Sequence, residues 1–174
     1  MLKPNHLYCY TLKYKEGGRM KRSMIVLLFF VIAQFAISQV KQDEKGLYAD
    51  ANGALYTGVL ELDENGVKTS ILSIKNGQLH GDAKYFFETG QLMRIGSYEN
   101  GLKTGKWITY NESGIMVGLA FYNAGKKDGT WIAWDDNGKK RFEMNYKNGE
   151  KTGTWIQWDE NGVLFSSKSY TPNQ

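Results

Sequence analysis

One cysteine, two prolines and two histidines are all that the 174 residues contain of these types. Cys9 has no second thiol to pair with, so the fold relies on packing without disulfide staples. Pro4 and Pro172 lie at the two ends, and the chain between them keeps every backbone donor that a sheet requires. His6 and His80 leave little material for a nucleophile triad or a histidine metal site. Long apolar runs are missing too, apart from one near the N-terminus. Abundant instead are 20 Gly alongside 11 Tyr, 8 Phe and 5 Trp, a pairing that predicts short strands joined by glycine turns.

A formal net charge of +4 invites the thought of a nucleic-acid partner, yet the excess is confined to the first 38 residues. There Lys3, Lys13, Lys15, Arg19, Lys21 and Arg22 face the single acid Glu16. From Gln39 onward, sixteen basic residues meet seventeen acidic ones, and attraction to a phosphate backbone has no basis. Residues 20–38 have the order of a signal peptide: Lys21-Arg22, an apolar run from Met24 through Ile37, and small residues Ala36 and Ser38 before a cleavage point at Gln39. The expected location is secreted or periplasmic. An apolar stretch of about 14 residues is shorter than the roughly 20 of a spanning helix, so a membrane enters only through an uncleaved leader. No cysteine follows the run, which excludes a lipid anchor. Residues 1–19 overextend the basic region, and Met20 reads as the true start, with Lys15-Glu16-Gly17-Gly18 resembling a translated ribosome-binding tract.

The rest of the chain repeats with a period of 24. Gly66, Gly90, Gly114, Gly138 and Gly162 keep it as turn glycines; Gly77, Gly101, Gly125 and Gly149 form a second series, and Gly81, Gly105, Gly129 and Gly153 a third. Tyr98, Tyr122, Tyr146 and Tyr170 march in step with Trp107, Trp131 and Trp155, as do Phe86, Tyr110, Trp134 and Trp158. Each unit predicts a hairpin, such as the strand from Gly153, the turn Asp159-Glu160-Asn161-Gly162 and the strand ending at Tyr170. Asp opens a type I turn and the left-handed glycine closes it as a bulge; units then connect through Asn-Gly-x-x-x-Gly.

The pattern complete from Tyr146 to Gly162, Tyr-Lys-Asn-Gly-Glu-Lys-Thr-Gly-Thr-Trp-Ile-Gln-Trp-Asp-Glu-Asn-Gly, resembles the MORN repeat variant of the YwqK-type antitoxin-like repeat proteins. The resemblance is strong from Tyr98 to Gly162 and weaker over 78–97, where Ala83 replaces the first Trp. It is weakest over 47–77, where Val59 and Leu62 stand at aromatic positions, so residues 39–77 read as an N-terminal segment and a capping repeat before four repeats in 78–173. It implies an all-β, elongated antiparallel meander of about five hairpins, and binding rather than catalysis. Choline- and glucan-binding repeats share the aromatic Asn-Gly style with a shorter period.

Alternation along a strand sends Trp131 and Ala133 to one face and Ile132 and Trp134 to the other, predicting aromatic columns on both sides of the sheet. Trp107, Trp131 and Trp155 are expected to be a structural column. Tyr98, Tyr122, Tyr146, Tyr170, Trp134 and Trp158 are the candidates for contact with a ligand, either a protein partner or an envelope glycan. No enzyme activity, cofactor or metal is expected. The acids of Asp63-Glu64, Asp135-Asp136 and Asp159-Glu160 fit turns better than a calcium loop, which needs a bidentate Glu six residues after its glycine. His80 falls at an inter-hairpin turn, and lysine-rich connectors such as Gly125-Lys126-Lys127-Asp128 read as solvated turns. The rival function is an antitoxin-like regulator that neutralises a toxin by binding it.

Overall fold

The computed structural model describes residues 40–171; the leader, its cleavage point and the Met20 start all lie outside them. β1 (Lys41–Gln42) and β2 (Tyr48–Ala49) make a small ribbon. The main sheet comprises β3 (Gly58–Glu64), β4 (Val67–Lys75), β5 (Gln78–Phe86), β6 (Leu92–Glu99), β7 (Leu102–Tyr110), β8 (Met116–Asn123), β9 (Lys126–Lys127), β10 (Gly129–Trp134), β11 (Lys140–Lys147), β12 (Glu150–Trp158) and β13 (Leu164–Tyr170). Strands pair antiparallel in chain order, with β9 and β10 one strand interrupted at Asp128, so the architecture is the expected meander of hairpins.

Two kinds of turn alternate, each dictated by local chemistry. At Asp135 the carboxylate accepts the N–H groups of Asn137 and Lys139, both at 3.0 Å, while the Gly138 N–H donates to the Asp135 carbonyl at 2.9 Å. With Gly138 at φ +77°, this is the bulged type I turn that the sequence predicts. Asn111 and Asp159 use their side chains in the same way. The other kind is a two-residue turn with both residues left-handed: Asn76-Gly77, Asn100-Gly101, Ala124-Gly125 and Asn148-Gly149. These are the connectors, so the connection between units is itself a hairpin turn. Gly66 departs from its series, because Asn65 at φ +52° joins it in a two-residue turn closed by Glu64 and Val67.

The buried core sits at the N-terminal end. Leu60, Leu72 and Ala83 are successive cross-strand partners, and Ile74 and Trp107 complete the cluster. The aliphatic capping hairpin thus supplies most of the core, while the repeats after Trp107 form a single layer of half-buried and exposed side chains in which Tyr146 is buried. β13 closes the array with Leu164 and Phe165 exposed.

Candidate functional site

A continuous ladder of rings runs across the sheet from Tyr98 to Tyr170. Its order is Tyr98, Trp107, Tyr122, Trp131, Tyr146, Trp155, Tyr170, with successive centroids 5.0, 6.3, 5.1, 5.4, 5.1 and 5.0 Å apart. Register explains it. Tyr98, Tyr122, Tyr146 and Tyr170 lie opposite Gly81, Gly105, Gly129 and Gly153, and their rings reach the tryptophans of adjoining repeats. The tyrosines expected to bind and the tryptophans expected to be structural are therefore brought together on one face. Trp134 and Trp158 stand apart: the ring pairs among the described residues include neither, and Lys140 covers Trp158 at 5.4 Å.

Indole N–H groups are used inward. Trp131 donates to the Phe121 carbonyl and Trp155 to that of Asn145, both at 2.9 Å. Trp107 is nearly fully buried and its Nε1 has no hydrogen-bond partner. Burial pushes the Tyr85 phenol well above its ordinary range, reinforced by its 3.0 Å hydrogen bond with the Tyr98 hydroxyl.

Lysines lie over the ladder, in contrast to the solvated turns expected of them. Lys103 Nζ is 4.5 Å from the Trp107 centroid, Lys127 is 4.1 Å from that of Trp131, and Lys151 is 4.3 Å from that of Trp155. Each also faces the next tyrosine, Tyr122, Tyr146 or Tyr170. Such contacts contribute about 0.5–1 kcal/mol apiece at exposed sites. The signal was present in the sequence as Lys-x-x-x-Trp at period 24, since residues four apart on a strand share a face.

Arg94 and Lys103 rim a hollow of about 240 Å³ between Trp107 and Trp131. Burial, and then the charge of Arg94, hold the Lys103 ammonium below its ordinary pKa. The ion pairs among the described residues involve Lys68, Lys140, Arg141 and Lys147, and none involves a lysine of the ladder or Arg94.

His80 is occupied structurally: its Nδ1 accepts the Asn100 N–H at 3.4 Å, as the Asp128 carboxylate accepts that of Asn148 at 3.2 Å. The Asn148 N–H, and then the Lys147 ammonium, hold the Asp128 carboxyl below the usual range. Among the described residues no three His, Cys, Asp or Glu side chains are grouped to hold a metal ion.

A family model described as MORN repeat variant matches residues 79–100, 103–124, 127–148 and 151–171. Each block begins just after a two-residue turn, and the aliphatic hairpin β3–β4 lies outside all four. No curated protein matches the chain in sequence.

Proposed function

The chain belongs to the MORN repeat variant family, and on that premise we propose that it is a non-catalytic binding or scaffold module, exported and directed at a protein or cell-envelope ligand. The observation that carries this reading is the ladder with its row of lysines: one face presents cations at a regular interval, without carboxylate partners among the described residues. Adjacent repeats are two strands apart, so the interval is about 9.5 Å. An extended ligand with repeating groups suits such a surface better than a compact substrate. A non-catalytic role is supported by the use of His80 and Asp128 as turn acceptors. Export rests on the order of residues in the leader, from Lys21 to Ser38.

Co-sedimentation of the full chain with envelope fractions tests this, comparing it with the double variant Lys127→Glu/Lys151→Glu. Retention should be lost in the variant while its melting temperature stays within a few degrees. Undiminished retention would remove the ladder face from the function. N-terminal sequencing of the exported protein separates this reading from an antitoxin-like regulator, which requires an unprocessed cytoplasmic chain.

A further inference from the structure

We infer that the hollow between Trp107 and Trp131 is a subsite for one carboxylate-bearing sugar of an acidic polysaccharide, with Arg94 and Lys103 holding the carboxylate. The inference rests on the binding-module reading and names its ligand class.

Gly118, Ala120 and Ala133 line it, and one period later the same positions carry Phe142, Met144 and Gln157, which line a second hollow of about 350 Å³ beside Lys168. Of the two hollows, this one has both an arginine and a lysine in its lining, Arg94 and Lys103, where the other has Lys168. Neither Arg94 nor Lys103 makes an ion pair among the described residues, and the two repel each other across the hollow. An anion entering there relieves that repulsion and gains two charge-assisted hydrogen bonds in a partly dehydrated setting.

The walls favour a sugar over a peptide. The hollow lies in mid-sheet, where the flanking β7, β8 and β10 satisfy one another's backbone groups, so a peptide laid across it would leave its own amides without partners. Peptides dock on sheets by adding a strand at an edge, and the edges here are β3 and β13. A pyranose asks for less: an apolar ring face against indole and alanine, with its carboxylate directed at the rim. Further carboxylates along the same chain would meet Lys127 and Lys151, which continue the row.

Calorimetric titration of the full chain with galacturonate oligomers tests the proposal. Saturable binding that weakens with added salt is expected. Arg94→Gln and Lys103→Gln should each weaken it about tenfold, the size of one charge-assisted hydrogen bond. Lys103→Arg should retain it. Lys106→Gln, an exposed position on the opposite face of β7, should leave it unchanged. Equal binding of fully methyl-esterified oligomers, or undiminished binding by Arg94→Gln and Lys103→Gln, would overturn the subsite. Preference for polyglutamate, lost in the same variants, would overturn the sugar while leaving the binding-module reading intact. Failure to bind either polymer would overturn the carboxylate subsite, and the envelope co-sedimentation then judges the module reading on its own.

Discussion

Gly96 lies against the indole of Trp107, so close that a Cβ at this glycine would overlap the ring's Cδ2 and Cε2 atoms. The next two repeats carry Ala120 and Met144 at the same position, each directly across from the ladder tryptophan of its unit, Trp107 or Trp131. Trp107 uses the space to bury itself to 3% exposure against Leu60, Leu72, Ile74 and Ala83. It forgoes the indole hydrogen bond that Trp131 and Trp155 make. Ring burial outweighs the unpaired donor: an aromatic side chain removes 150–250 Å² from water at about 25 cal/mol per Å², against roughly 1–3 kcal/mol for a buried N–H left without a partner.

Gly96→Ala should therefore cost about 1–3 kcal/mol, as overpacking does in a filled core. Gly118→Ala makes a fair control, because its Cβ would meet only the Thr109 side chain, at 3.3 Å from Cβ and 3.6 Å from Oγ1. Thermal unfolding of the two variants compares them. Equal midpoints would mean that the Trp107 ring moves aside freely.

The hairpins were legible because the 24-residue period fixes where left-handed residues fall, and the glycines at 90, 114, 138 and 162 have few substitutes there. The ladder was not legible as one object. Tyr122 and Trp131 belong to different sequence columns and meet only through the pairing of β8 with β9 and β10, which sets Tyr122 opposite Lys127 and Leu119 opposite Ile132. The lysines are legible by spacing alone, as Lys-x-x-x-Trp at the repeat period, since a solvated connector and an ammonium over an indole have the same composition. The position of the core was hidden for the opposite reason: Leu60 and Leu72 belong to the unit that departs most from the repeat.

Ala124 is the one non-asparagine in the left-handed first position of the four connector turns, at φ +45°. Ala124→Asn restores the residue that Asn76, Asn100 and Asn148 supply, and should stabilise the protein by roughly 0.5–1 kcal/mol, part of what a left-handed alanine costs. A higher melting temperature checks this. No gain would mean that the neighbouring turns, joined by the 2.9 Å bond from Gly125 N–H to the Lys103 carbonyl, already absorb the strain.

Acid sensitivity should trace in part to Asp135. The Lys139 N–H foremost, with the Asn137 N–H, the nearby Arg141 and the Lys139 charge, holds its carboxyl below the usual range. The folded state thus favours the ionised form, and the stabilisation is present above the ordinary carboxylate pKa near 3.9 and lost as pH falls through the lower folded value. Asp135→Asn keeps an acceptor for both N–H groups, as Asn111 does in its own turn. Melting curves from pH 7 to pH 2 should show a shallower decline for the variant. Parallel declines would place the acid sensitivity in other carboxylates.

The tryptophans should differ in energetic weight although the sequence makes them equivalent. Trp107→Ala removes a ring packed on the aliphatic core and should cost about 3–5 kcal/mol. Trp131 and Trp155 each lie between two tyrosines, but they remain half-buried and rest on a single layer. Truncating Trp131 should cost less than truncating Trp107, and truncating Trp155, whose outer neighbour Tyr170 is on the terminal strand, less again. Denaturant unfolding of the three alanine variants gives the order. A graded series means that stability is rooted in the capping hairpin and propagates along the ladder. Three equal losses would instead mean that each repeat contributes through its own Trp-Tyr-Lys stack, and the aliphatic cluster at Leu60 would then serve to terminate the sheet.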